Sequence, residues 1–105
     1  MLGWYPDYPD ADDYLSVFLV DGGFFQNGYK NPQVNALVSD ELGSTSQAKR
    51  NADFKKLQDI EAQDVPFIPS WVGNNIAVYS KGMHGVKETL DAAYIFRLWT
   101  VSKSG

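Results

Sequence analysis

Gly3-Trp4-Tyr5-Pro6-Asp7-Tyr8-Pro9-Asp10-Ala11-Asp12-Asp13-Tyr14 places aromatics, two prolines and four carboxylates ahead of the first apolar run. Pro6 and Pro9 fix their own φ and hold Tyr5 and Tyr8 in extended conformations. The stretch therefore reads as a rigid segment that runs extended and then turns. Asp7 sits on it beside an aromatic wall of Trp4, Tyr5 and Tyr8. A carboxylate held against aromatic faces can receive an ammonium group, because the charge and the ring quadrupoles both favour a cation. The plainer reading is that Asp7 and Asp10 cap turns while the aromatics fill a core.

The chain then alternates apolar runs with turn signals. Tyr14 to Val20 has a length that suits a buried strand or a helix; the preferred reading is a short helix, with Asp12 or Asp13 as its cap and acidic charge at its positive end. Asp21-Gly22-Gly23 breaks it. Phe24 and Phe25 follow in an aromatic loop and read as core plugs. Asn31-Pro32 opens a second helix, Asn as cap and Pro in the first turn. Val34, Leu37, Val38 and Leu42 form its apolar stripe, and Gly43 closes it. Ser44-Thr45-Ser46-Gln47 has the spacing of a capping box for a third helix ending near Gln63. Phe54, Leu57 and Ile60 point that helix inward, leaving Lys49, Arg50, Lys56 and Asp59 for solvent. Two helices joined by so short a turn form a hairpin.

Val65 to Trp71 and Ile76 to Tyr79 read as short strands, the first confined to an edge by Pro66 and Pro69. Lys81 to Gly85 is a turn, Tyr94 to Val101 a final β segment, and Ser102 to Gly105 a frayed end.

These residues resemble a family. Gly3-Trp4-x-x-Asp7-Tyr8 with its Pro-Asp turn is similar to the C-terminal part of bacterial extracellular solute-binding proteins of ABC transporters, family 5, the oligopeptide- and dipeptide-binding type. The similarity continues through Gly28-Tyr29-Lys30-Asn31-Pro32-Gln33-Val34, Gln47-Ala48-Lys49-Arg50 and Leu57-Gln58. It extends through Asp64-Val65-Pro66-Phe67-Ile68-Pro69, Gly85-Val86 and Phe96-Arg97-Leu98-Trp99. The resemblance implies an α/β chain that is a fragment of a two-lobed, type II periplasmic-binding-protein fold, with a helical hairpin and short strands. It assigns 1–72 to the C-terminal lobe and 73–105 to a crossover returning to the N-terminal lobe, places the Phe24-Phe25 loop near the ligand cleft of some members, and puts Trp71 or Gly73 to Asn75 near the hinge, a buried core Trp71 being the equal alternative. It implies binding of a solute, an oligopeptide first, for ABC-transporter uptake through a membrane permease. By the same resemblance Asp7 holds the peptide's α-amino group and Trp4 walls a side-chain pocket, with Tyr5 beside them as the third ligand-binding candidate. The location it implies is extracytoplasmic, with a lipoprotein anchor on the full-length receptor. Met1 fits either an added start or a native residue. A chain of this kind, cut from its other lobe, is expected to self-associate.

Composition agrees and excludes. The chain has 105 residues, a net charge of −4, 14% aromatics and no cysteine. There is no basic footprint for nucleic acid, no disulfide or thiolate metal site, and no apolar run near the roughly 20 residues of a membrane span. Asp10-x-Asp12 begins like a calcium loop, but Leu15 stands where glycine is needed and Asp21 where the bidentate Glu belongs. His84 lies alone in a glycine-flanked turn. No nucleophile, P-loop or metalloprotease motif occurs, so the chain reads as a binding protein without cofactor and not an enzyme. The alternative is a self-standing carbohydrate-binding or carbohydrate-acting domain that uses Trp4, Tyr5 and the Asp cluster.

Overall fold

A computed structural model describes residues 3–91 and 95–105. It is helix-rich, with one short two-stranded sheet. The helices are α1 (Asp12–Leu19), α2 (Pro32–Leu42) and α3 (Gln47–Asp64); the strands are β1 (Met83–His84) and β2 (Ser102–Lys103). The described residues divide into two compact units: Asp10–Ser70, and the residues up to Pro9 together with Trp71–Gly105.

The first unit is a three-helix core. The Asn31 side chain caps α2 by accepting from the Gln33 N–H, with Pro32 at the first helical position. Val34, Leu37 and Val38 of α2 then meet Leu15 and Leu19 of α1 and Phe54 and Leu57 of α3 in one apolar cluster. Ile60, Tyr29 and Phe67 pack on its margin. Phe18, Phe24, Phe25 and Phe67 add an aromatic group, Phe18 and Phe25 having ring centroids 5.0 Å apart. Phe24 keeps half its surface outside, so it seals this group rather than plugging the core. At the far end of the hairpin the Tyr29 hydroxyl and the Asn31 amide both donate to Asp64 Oδ2, at 2.6 and 3.0 Å. That clasp ties the start of α2 to the end of α3.

Several local readings are corrected here. Neither Asp12 nor Asp13 caps α1; both lie buried in its first turn, and the cap position is Ala11. The turn is made instead by Asp10, whose Oδ1 accepts from the Asp12 N–H at 3.2 Å. The fourth member of the α2 stripe is not Leu42, which is 63% exposed, but Glu41, which is fully buried. Gly43 ends α2 in right-handed geometry at φ −77°. The α3 cap is Ser46, which accepts weakly from the Lys49 N–H at 3.4 Å, while Ser44 Oγ accepts from the Ser46 N–H. Gln47 reaches forward to Asn51 rather than back to the cap. Arg50 turns largely away from solvent, keeping 17% of its side chain exposed.

The strand expected over 65–71, nearly all of it in the first unit, and the one expected over 76–79, in the second, are not formed. Of the last β segment, Tyr94 lies outside the described residues, and Leu98–Thr100 is a 3₁₀ turn. The tail is not frayed: Met83 pairs with Lys103 and His84 with Ser102, antiparallel. Gly85 makes this possible. Its φ is +74°, and a Cβ there would collide with the Thr100 carbonyl. Asp91 binds Arg97, and the Asn75 amide donates to the Asp91 carbonyl at 2.9 Å. Trp71 is 70% exposed, not a core tryptophan.

Candidate functional site

The three candidates Trp4, Tyr5 and Asp7 lie on a segment without regular structure through residue 6, which bends over 7–10 and turns at Ala11 into α1. The bends over 7–10 follow Pro6 and include Pro9, each of which fixes its own φ. Pro6 is buried and Trp4 half-buried, while Tyr5, Asp7 and Tyr8 are exposed. The buried proline anchors the segment and turns its neighbours outward. Tyr5, at 65% exposure, and Asp7 thus present a phenol ring and a carboxylate to solvent within three residues. Such a surface can take a cation with an apolar flank.

The carboxylates that follow do other work. Asp12 and Asp13 are buried, so the four aspartates do not make one acidic surface. Asp10 is bound by Arg50 through two parallel bonds, Nη1 to Oδ2 and Nη2 to Oδ1, each 2.8 Å. The same guanidinium donates from Nε and Nη2 to Glu41 Oε2, at 3.2 and 3.1 Å. Glu41 Oε1 accepts from the Ser16 hydroxyl at 3.1 Å. Four residues, from α1, α2, α3 and the end of the loop, thereby join in one network in which Asp10 and Glu41 share the Arg50 charge. Arg50 also lies 5.3 Å from the Phe54 ring centroid, a cation–π distance. The Arg50 hydrogen bonds hold the Asp10 carboxyl well below the usual carboxylate range. Asp10 first and Glu41 second raise Arg50 above its ordinary value. The residue pattern gave one sign of this junction. A glutamate occupies position i+7 of an apolar stripe begun at Val34, where burial demands a partner.

Elsewhere, Asp53 is buried between Lys49 and Lys56, and those two hydrogen bonds lower its pKa. His84 is exposed, its Nε2 lying 3.2 Å from Ser104 Oγ. Among the described residues no group of three His, Cys, Asp or Glu side chains is arranged to hold a metal ion. No described helix is long and apolar enough to cross a membrane. In the second unit Ile76, Val78, Val86, Leu90 and Phe96 line an open hollow of about 340 Å³.

Comparison with known proteins finds two weak relatives with a common theme. The chain is 27% identical over 86 residues to the oligopeptide-binding protein OppA of Bacillus subtilis (strain 168), covering 81% of this chain and 16% of that protein. It is 24% identical over 101 residues to the periplasmic oligopeptide-binding protein OppA of Escherichia coli (strain K12), covering 94% of this chain and 19% of that protein. The chain thus spans less than a fifth of the length of these curated relatives. No protein-family model matches it. No solved structure matches it.

Proposed function

We propose that this chain is the C-terminal portion of an extracytoplasmic solute receptor of an ABC importer, with an oligopeptide as its ligand. The observation that carries the proposal is a similarity running over four fifths or more of the chain to two proteins that both bind oligopeptides. The exposed Asp7 beside Tyr5 supplies chemistry suited to such a ligand, a peptide's α-ammonium group. On this reading Gly3 to about Val72 belongs to one lobe of a hinged, two-lobed receptor, and 73–105 crosses to the other. Closure of the lobes traps the solute, and the closed form docks on a membrane permease. The work is binding without turnover: Asp7 accepts the ammonium group, Trp4 walls the adjoining side-chain pocket, and Tyr5 flanks the charge.

The test is calorimetric titration of the whole receptor and its Asp7→Asn variant with a free-amine peptide and its N-acetylated form. Removing one partner of a desolvated charge pair costs about 2–5 kcal/mol. Asp7→Asn is therefore expected to weaken the free-amine peptide by orders of magnitude. The acetylated peptide should bind poorly to both proteins. Equal binding of the free-amine peptide to both proteins would reduce Asp7 to a turn residue.

A further inference from the structure

We propose that Asn27 is a site of spontaneous covalent modification, losing its amide through a cyclic imide closed by the Gly28 backbone nitrogen. The acidic product releases one of the ties between the loop before α2 and the end of α3. Every residue involved lies within Asp10–Ser70, and no ligand takes part.

An asparagine cyclises when the next peptide nitrogen reaches its side-chain carbon, and a side chain on the following residue obstructs that approach. Asn27-Gly28 is the one Asn-Gly pair in the sequence. Both residues are exposed and lie outside the helices. Gly28 sits at φ +79° with nothing within 4 Å of the place a Cβ would take, so its backbone is unobstructed on that side. The other asparagines lack this combination. Pro32 offers Asn31 no N–H to deprotonate, and Asn35 and Asn51 lie within α2 and α3. Asn74 is exposed, but Asn75 follows it, and Asn75 is followed by the β-branched Ile76.

The local hydrogen bonding suits the reaction. Asn27 Oδ1 accepts from the Tyr29 N–H at 3.1 Å, closing a ring that contains both the Gly28 nitrogen and the Asn27 Cγ. Hydroxide removes the Gly28 N–H proton, and the nitrogen attacks Cγ. Negative charge then develops on Oδ1, where the Tyr29 N–H donates, and a donor aimed at developing charge lowers the barrier. The Cγ–Nδ2 bond breaks, and Nδ2 leaves as ammonia with a proton from water. A water molecule then opens the imide at either carbonyl, giving aspartate or isoaspartate. The sum is water consumed and ammonia released.

The amide that is lost holds the loop. Asn27 Nδ2 donates to the Pro66 carbonyl at 2.9 Å, just beyond α3. An ionised carboxylate only accepts, so the product sets two acceptors against each other. It also adds a negative charge two residues from Tyr29, whose hydroxyl donates to the Asp64 carboxylate. Isoaspartate in addition lengthens the backbone by a methylene.

The experiment ages the full 105-residue chain in mildly alkaline buffer, natively and in denaturant, and locates amide loss by peptide mass spectrometry. In the native chain Asn27 is expected to convert about ten-fold faster than Asn74, or more, a barrier lower by about 1.4 kcal/mol. Gly28→Asn supplies a residue that enters left-handed geometry and should slow conversion at position 27 by about ten-fold. Asn27→Asp stands in for the aspartate product and should melt several degrees below wild type. Native conversion of Asn27 no faster than that of Asn74 would overturn the proposal. So would rapid conversion in denaturant alone, since the bonds to Tyr29 and Pro66 would then hold the amide out of reaction. An Asn27→Asp midpoint equal to wild type would overturn the release of the loop. Because no ligand is present, a negative peptide titration at Asp7 leaves these measurements untouched.

Discussion

Asp10–Ser70 and Trp71–Gly105 treat their apolar residues in opposite ways. Among the described residues beyond Ser70, Val86 is the one buried apolar side chain. Beyond Ser70, Trp71, Val72, Ile76, Val78, Phe96, Leu98 and Trp99 are all exposed. The first region has helices whose hydrogen bonds close within each segment, so its amphipathic faces need only one another to make a core. The second has β-type sequence, and a strand needs a partner to satisfy its backbone and cover its face. The lesson is that local pattern suffices for a structure when its hydrogen bonds are local. Where they are not, the same quality of pattern leaves an extended chain with its apolar groups outward.

The sharpest way to break this contrast is to truncate one aliphatic residue in each region. Leu57 is fully buried in the three-helix cluster, so Leu57→Ala should cost about 2–5 kcal/mol in a denaturant melt. Ile76 is 83% exposed, and Ile76→Ala should stay within about 0.5 kcal/mol of wild type. Exposed apolar groups of this kind drive association, so the Ile76 change should instead lower concentration-dependent light scattering. Equal stability losses at the two positions would mean that the second region hides a core of its own.

The same contrast explains what could be read in advance. Asn31-Pro32, the stripe of Val34, Leu37 and Val38, and the inward Phe54 and Leu57 were legible because each follows from helical spacing and one cap. Glu41 and Arg50 were not, because spacing gives a position's direction and not its partner. Glu41 falls at i+7 of the stripe begun at Val34, but the partners that let a carboxylate occupy that place, Ser16 and Arg50, come from other helices. The strands over 65–71 and 76–79 failed for the reason given above: β-propensity describes fit to a sheet, and these segments pair with none among the described residues. The site itself was legible only as a segment. Two prolines fix its course, while the burial of Asp12 and Asp13 depends on α1 packing that no motif announces.

Within the helical region one place departs from the rule of local satisfaction, the end of α3. Val65 closes that helix in the left-handed region, at φ 46° and ψ 53°, with its N–H donating to the Glu61 carbonyl at 2.8 Å. A β-branched residue there is strained by about 1–3 kcal/mol, and glycine is the residue that adopts this geometry freely. Part of the relief is returned through the greater freedom of glycine in the unfolded chain. Val65→Gly should therefore raise stability by about 1 kcal/mol, seen as a rise of several degrees in the melting midpoint. A lower midpoint would show that the half-exposed Val65 side chain contributes more packing than its strain removes.

The smallest expected effect concerns Glu61, one turn before Val65. Its Oε1 is buried and makes no hydrogen bond among the described residues. Burial pushes its pKa above the ordinary glutamate value, because desolvation penalises the charged form. The sign of the linkage follows from that direction. Below the unfolded value of about 4.3, folded and unfolded chains both hold the proton, and Glu61 imposes no charge penalty. Between that value and the raised folded one, the unfolded chain releases its proton first, and folding stability falls as pH rises. Asp10 acts oppositely: its depressed pKa makes stability fall as pH drops below the unfolded aspartate value of about 3.9. Glu61→Gln removes the first titration and leaves the second in place. The variant should gain on wild type as pH rises from about 4 toward neutrality, while both proteins lose stability in stronger acid. Paired melts at several pH values give the difference directly. A difference that stays flat across the window would mean that Glu61 reaches solvent when ionised, and that the end of α3 carries no electrostatic cost.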